Sequence, residues 1–330
     1  MSATGRIRSI MQARAADLFR EEGAPDDVKV TRHETVWIAA CRFNGRTHTG
    51  VIKPVRRFSL GGGVDALWQV HRHLCQADTR LRDSTVRFLG CLSDEHLVVM
   101  EHVPGTLLCT AMERALGARA STQSVDHAVQ QLGHYQRDLH AVDAAQFGAD
   151  TARKINAGFM QEMDEIWYDP WIQRRLPPQF RDHTTLHGRL PADFATSCGD
   201  RVLPVDLQPK NVIIRPDGRI CVIDVDYAVG HPARGLALCL VSFDRLRMRR
   251  PGHRALETVD RWKHLLLDAY VAGAKERSVL VSLQFFYPWA VLTHYRQHVG
   301  ARRWWRPYLA WFYGGLLSRW LLELDRQPHH

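Results

Sequence analysis

Residues 205–226 hold the feature that most limits what this chain can fold into. Val212-Ile213-Ile214 and the run from Arg219 to Ile223 are short β-branched segments, separated by Pro216-Asp217-Gly218. Proline presets φ and glycine tolerates a positive φ, so the pattern predicts a hairpin. Polar groups stand at both of its ends: Asp206 and Asn211 on the loop leading in, and Asp224 where the returning strand stops. Two strands of rigid backbone would thus bring two carboxylates and a carboxamide to one place.

Such a trio suits a particular ion chemistry. Magnesium takes oxygen ligands and usually keeps waters and substrate phosphates, so Asn211 and Asp224 are a sufficient protein contribution. Asp206 is then left to orient an attacking hydroxyl.

Asp206-Leu207-Gln208-Pro209-Lys210-Asn211, with Val222-Ile223-Asp224 following, resembles the catalytic loop and metal-binding Asp of the protein-kinase-like fold. Within that fold the likeness is to the aminoglycoside/choline phosphotransferase-like small-molecule kinases. Leu139-His140-Ala141-Val142-Asp143 with Phe147-Gly148 is similar to the helix end and turn that precede the catalytic loop in such proteins. The segment from Leu97 to Gly105 is similar to their inter-lobe hinge. Together these span roughly residues 45 to 240 in the family's order.

The resemblance implies an α+β, protein-kinase-like two-lobed fold. Residues 1–103 would form a small antiparallel-sheet lobe with the nucleotide-gripping strands and hinge, and residues 104–330 a larger, mainly helical lobe with the catalytic loop and acceptor site. It also implies an ATP-dependent phosphotransferase with an alcohol group as acceptor, using ATP and Mg2+. Asp206 would be catalytic, Asn211 and Asp224 would hold metal, and Glu101 and Val103 would offer a carbonyl and an amide to the adenine edge. A buried strand running into the Pro104-Gly105 turn predicts nearly the same hinge sequence.

Val36 to Arg42 and Thr47 to Val55 flank Asn44-Gly45, a strong short hairpin signal. The second strand carries Val51-Ile52-Lys53, similar to the family's phosphate-gripping lysine; a solvated strand lysine is the plainer reading of Lys53. The helix expected from Val64 to Leu74 has Asp65 as its acid, where the family supplies Glu to pair with that lysine. A capping role in the first turn explains Asp65 equally well, and Gln69 or no partner remain open. A further helix is expected over residues 6–21, where Ile7, Ile10, Met11, Ala15 and Leu18 recur at helical spacing.

Several positions depart from the family pattern. The turn at Arg32, His33, Glu34 and Thr35, placed to cover phosphates, has no glycine, and Gly61-Gly62-Gly63 comes after the lysine strand. Pro204-Val205 stands where the family has His-Gly. Gly230-His231-Pro232-Ala233-Arg234-Gly235-Leu236-Ala237 carries Gly235 in place of a structural Asp, which leaves a buried carboxylate either missing or supplied by Asp244. Asp226 is a secondary metal candidate.

Composition bounds the rest. At 330 residues and 45% hydrophobic content the chain can bury a sizeable core. The amino-terminal segment lacks the apolar core of a signal peptide and no apolar run reaches membrane-span length, so a cytoplasmic location is expected. The seven cysteines form no Cys-x-x-Cys pair, which disfavours a zinc site or a disulfide framework. They read as buried apolar fillers.

The formal net charge of +9 disfavours an acidic pocket for polycationic substrates and points to a neutral or anionic acceptor. Nucleic acid is a poor fit, since no zinc-finger or RNA-binding signature accompanies the scattered basic residues. Asp164, Glu165 and Asp169, beside Trp167, Tyr168 and Trp171, are candidate acceptor contacts or else one solvated helix face. The stretch from Arg302 to Tyr313 mixes cations with aromatics, a composition suited to peripheral membrane or glycolipid contact and equally to a packed terminal helix. A kinase-like protein that binds nucleotide or a protein partner without turnover is the alternative from another class.

Overall fold

The computed structural model describes residues 2–33, 35–55, 63–117, 121–142, 167–178, 181–182, 201–204, 206–224, 226–249, 252–301 and 303–325. The chain divides into two compact units, Met1–Thr106 with Ile213–Tyr227, and Leu107–Val212 with Ala228–His330. The division does not follow one cut in the chain, because Ile213–Tyr227 groups with the amino-terminal segment.

The first unit is built on a five-stranded antiparallel sheet of β1 (Asp27–His33), β2 (Val36–Phe43), β3 (Arg46–Pro54), β4 (Phe88–Leu92) and β5 (Leu97–Glu101), in the order β1-β2-β3-β5-β4. Asn44 and Gly45 both take positive φ, 47° and 80°, in the two-residue turn that sets the β2–β3 register. Helix α1 (Ala3–Phe19) puts Ile7, Met11, Ala15 and Leu18 into a core with Val30, Cys41, Phe43, Ile52 and Val99 of the sheet. It starts earlier than the apolar spacing suggests because Ser2 caps it, accepting from the Gly5 amide at 3.1 Å. It stops earlier because Arg20 turns left-handed.

Helices α2 (Gly63–Ala77) and α3 (Thr79–Ser84) follow β3. The predicted second hairpin is present as Val212–Ile214 and Ile220–Val222, closed by Gly218 at φ 81° and a bond from the Arg215 amide to the Arg219 carbonyl at 2.8 Å. Val222 lies beside the end of α3, its carbonyl accepting from the Val86 amide at 2.9 Å.

The second unit is mainly helical: α4 (Leu108–Gly117), α5 (Gln123–His140), α6 (Pro170–Gln173), α7 (Pro232–Asp244), α8 (Leu246–Arg249), α9 (His253–Tyr270), α10 (Ala274–Ala301) and α11 (Arg306–Asp325). Helix α7 is apolar on nearly every side and runs through the middle, against α10 and α9. Gly133 lets α5 close on α9, where a Cβ would meet the Leu266 carbonyl. No helix among the described residues is long and apolar enough to cross a membrane.

Candidate active site

In the first unit, strand alternation sends Ile52 into the core under α1 and Lys53 to the opposite face of β3, in register with Val98. There the Lys53 ammonium pairs with the Asp224 carboxylate and with Asp226 at 3.3 Å. Burial opposes the charge on Lys53, but the two carboxylates outweigh it and raise its pKa. Asp226 is thus a direct partner of the lysine. Asp-x-Asp was the signal for it in the sequence, but whether both acids share a side depends on the path of the backbone after the strand.

Asp65 does not take the place of the family's helix acid. It lies in the first turn of α2 and accepts from Ser93 Oγ at 2.6 Å, with Cys91 Sγ at 3.8 Å. Aspartate at that position is short enough to be captured locally by the turn after β4.

Glu101 closes β5 in register with Gly50, and its carboxylate is held by the Arg87 amide at 3.2 Å and by Arg215 at 3.8 Å. The following amide, of His102, donates to the Thr49 carbonyl at 3.2 Å, and Val103 is buried. The segment assigned as hinge is therefore pinned by backbone bonds on both sides. The glycine-free turn after β1 is closed by the His33–Val36 pair; Glu34 lies outside the described residues.

In the second unit the loop Asp206–Asn211 comes after the strand Arg201–Pro204, and Pro209 opens a short 3-10 turn that brings Asn211 back to Asp206. Asn211 is buried, and its Nδ2 donates to the Asp206 carbonyl at 2.7 Å and to its carboxylate at 3.2 Å. Gln208 Nε2 donates to Asp206 Oδ1, and Lys210 Nζ lies 2.9 Å from Oδ2. Gln208 in turn accepts from Arg245 Nη1 at 3.0 Å. Gln208, Lys210 and Arg245 were not singled out from the sequence. The first two sit inside the motif, and nothing in the chain's order foretells that the end of α7 delivers Arg245. Beneath them His294 is buried; burial first, then the Arg245 charge, push its pKa down to about 3 against an opposing pull from Asp206.

A cavity of about 460 Å³ opens beside this loop, lined by Gln208, Pro209 and Lys210, by Cys109 and Glu113 of α4, and by Ser242, Arg245, Leu246 and Met248. His298, Trp305, Tyr308 and Leu309 complete it. The aromatic run of residues 304–313 is thus divided in use: Trp305 and Tyr308 face the cavity, while Trp304 and Trp311 are exposed at 78% and 52%.

Two other expectations are resolved here. Asp169 caps α6 and is neutralised by Arg306 at 2.6 Å, with Tyr295 Oη at 3.3 Å, and Trp167 is fully buried. Asp164 and Glu165 lie outside the described residues, as do Asp143, Phe147 and Gly148. Gly235 packs against His140, whose Nε2 has no partner among the described residues, and Asp244 sits at the far end of α7. Asp244 is a fully buried carboxylate, but it serves Lys263 at 3.2 Å and Tyr287 Oη at 2.7 Å rather than the neighbourhood of Gly235.

No protein-family model and no curated protein matches the chain. Solved structures do. A candidate aminoglycoside phosphotransferase from Ralstonia eutropha JMP134 is similar over 96% of this chain and 98% of its own, with a TM-score of 0.56 and 14% identity. A glucosamine kinase in complex with glucosamine, ADP and inorganic phosphate matches over 94% of this chain and 85% of its own, at 0.56 and 18%. Choline kinase LicA from Streptococcus pneumoniae matches over 98% and 100%, at 0.52 and 14%. At these identities the likeness is one of architecture: the chain has the protein-kinase-like fold, with an antiparallel sheet in one unit and helices in the other.

Proposed function

We propose that this protein is an ATP-dependent phosphotransferase that moves the γ-phosphoryl group of ATP to a hydroxyl of a small molecule, sugar or glycolipid. The observation that carries the reading is the pairing of Lys53 with Asp224. A strand lysine and the acid that follows the catalytic loop, assigned separately to phosphate and metal, meet although 171 residues separate them. The glucosamine kinase and choline kinase of the same fold support it.

Asp206 would accept the proton of the acceptor hydroxyl as its oxygen bonds to the γ-phosphorus and the bond to the β-phosphate oxygen breaks, releasing ADP. Asn211 and Gln208 hold that carboxylate in place through their amide nitrogens. The donor set also suits magnesium: the nitrogen of Asn211 is committed to Asp206, which leaves its carboxamide oxygen as ligand, and Asp224 supplies a carboxylate. When bound, the ion would neutralise phosphate charge. Lys53 would position the phosphates, and the backbone of Glu101 and Val103 would meet the base. A cytoplasmic enzyme, with ATP and Mg2+ and a neutral or anionic acceptor, completes the proposal.

A second reading, a nucleotide-binding protein without turnover, is favoured by one observation: Asp65 is taken by Ser93, so Lys53 has no helix acid among the described residues. Thermal-shift titration with ATP, GTP and ADP, with and without magnesium, followed by a phosphate-transfer assay, separates the two. A magnesium-dependent rise in melting temperature that is lost in Asp224→Asn, with transfer lost in Asp206→Asn, supports the enzyme. Binding without any transfer supports the second reading, and no shift with any nucleotide at millimolar concentration sinks the nucleotide site.

A further inference from the structure

We propose that the cavity beside the catalytic loop is the acceptor site, and that it takes a hydroxyl compound also carrying a carboxylate or phosphate group, which Arg245 binds. This rests on the phosphotransferase reading and adds the acceptor's chemical class to it.

Position comes first. Gln208, Pro209 and Lys210 lie between Asp206 and Asn211, so one wall of the cavity is the catalytic loop itself. A volume of about 460 Å³ is in the range of small-molecule sites. Two of these lining residues, Gln208 and Lys210, hold the Asp206 carboxylate that would receive the hydroxyl proton.

Charge comes second. Glu113 is the one acid among the described lining residues, against Lys210 and Arg245. Lys210 is taken by Asp206. The arginines near Arg245 go elsewhere: Arg247 and Arg319 approach Asp244, at 3.6 and 4.0 Å, where Lys263 already lies. No carboxylate among the described residues is in ion-pair range of Arg245, whose hydrogen bond goes to the neutral carboxamide of Gln208. A guanidinium carries five donors in a planar fork, a shape that fits a carboxylate or phosphate with two parallel bonds.

An aromatic wall stands beside Arg245. Trp305 lines the cavity, and its indole Nε1–H is buried with no hydrogen-bond partner among the described residues. Trp305 therefore contributes its ring rather than its N–H to the cavity wall. Tyr308, fixed by its bond to the Met248 carbonyl at 3.3 Å, meets Trp305 edge-on at 5.5 Å and makes an apolar wall for the ligand's carbon frame. Gln208 then links recognition to chemistry. It accepts from Arg245 and donates to Asp206, which makes it a positioning residue between the ligand's anion and the base.

The test uses full-length protein with magnesium and a non-hydrolysable ATP analogue, and measures by calorimetry the binding of glucose, gluconate, glucose 6-phosphate and glucosamine. Phosphate transfer from ATP to each is measured in parallel. Gluconate or glucose 6-phosphate should bind about tenfold or more tightly than glucose, with glucosamine weakest. The two anions distinguish a carboxylate site from a phosphate site. Arg245→Gln should bring the anion to within about threefold of glucose, and Arg245→Lys should keep part of the preference. Arg245→Lys, which keeps the charge and loses the planar fork, carries the comparison if Arg245→Gln folds poorly. Equal or better binding of glucose or glucosamine, an anion preference untouched by Arg245→Gln, or no binding by either anion overturns the proposal. If the nucleotide shift persists in those cases, the acceptor class alone has failed. If the nucleotide shift is itself absent, the phosphotransferase reading has failed first.

Discussion

Lys53 and Asp226 are 173 residues apart in the chain and 3.3 Å apart between Nζ and Oδ1, and Asp224 shares the same ammonium. The lysine is one-fifth exposed, so its charge is held by these two acids more than by water. One cation therefore keeps two neighbouring carboxylates compatible.

Replacing Lys53 by Met would leave both carboxylates apposed without a counterion. Each is about one-third exposed, so water moderates the cost to about 1–2 kcal/mol. Urea unfolding of Lys53→Met should show that loss, while the double variant Lys53→Met with Asp226→Asn recovers part of it. A Lys53→Met protein as stable as wild type would mean that the ion pair contributes nothing in solution. The magnesium-ATP shift should vanish in Lys53→Met and Asp224→Asn and shrink in Asp226→Asn.

Asn211 ties the two ends of the Asp206–Asn211 loop together through its 2.7 Å bond to the Asp206 carbonyl. Asn211→Ala removes that bond and the one to the carboxylate, both at a buried position, and should destabilise the protein by about 1–3 kcal/mol. Phosphate transfer should fall by about 100-fold or more, since the carboxylate loses its fixed direction. Asn211→Asp should do worse on both counts because it sets a second acid against Asp206. A kinetic assay run beside the unfolding curves tells a displaced loop from an unfolded protein.

How far the sequence led depended on the range of each interaction. The Asn44-Gly45 hairpin, the Pro216-Asp217-Gly218 turn and the α1 stripe are local signals, and the structure has each of them. Asp206 and Asn211 were legible because their contact spans five residues. Arg245 was not, because it meets Gln208 across 37 residues through packing of a helix whose apolar surface says only that it is buried. Asp65 stayed open between a lysine partner and a place in the first turn of its helix, because order in the chain does not show that its short side chain reaches Ser93.

Acid should unfold this protein early. Burial pushes the pKa of His71 and His231 down to about 4, and burial with neighbouring positive groups pushes His140 and His294 to about 3. His231 also accepts from the Ala233 amide at Nδ1, 3.2 Å away, a bond that needs the unprotonated ring. In the unfolded chain these rings gain protons near pH 6.5, and the folded chain refuses them until pH 3–4. Their stabilising effect is therefore complete above pH 6.5 and is lost as pH falls through that window, by about 1–2 kcal/mol per ring at pH 5. Melting temperature measured from pH 8 to 4.5 should fall steeply below pH 6.5, and His71→Gln should flatten the fall. A level curve between pH 7 and 5 would show that these rings protonate in place.

Asp244 gives the largest single effect expected away from the Asp206–Asn211 loop. Its carboxylate has no solvent exposure and accepts from Lys263 at 3.2 and 3.3 Å and from the Tyr287 phenol at 2.7 Å, while burial and then this carboxylate push the phenol's pKa up. Asp244→Ala takes the buried counter-charge from Lys263, which keeps only the part-exposed Asp260 at 3.3 Å and has Arg247 near, so the loss should fall at the lower end for a broken buried pair, about 3 kcal/mol. Asp244→Asn keeps an acceptor for Tyr287 and should cost less. Asp244→Leu with Lys263→Met removes both charges, and should recover much of the loss if the carboxylate's part is to neutralise Lys263. Urea midpoints across the series decide it: a double variant no more stable than Asp244→Ala would place the cost in Tyr287 and the α7–α10 packing rather than in the stranded cation.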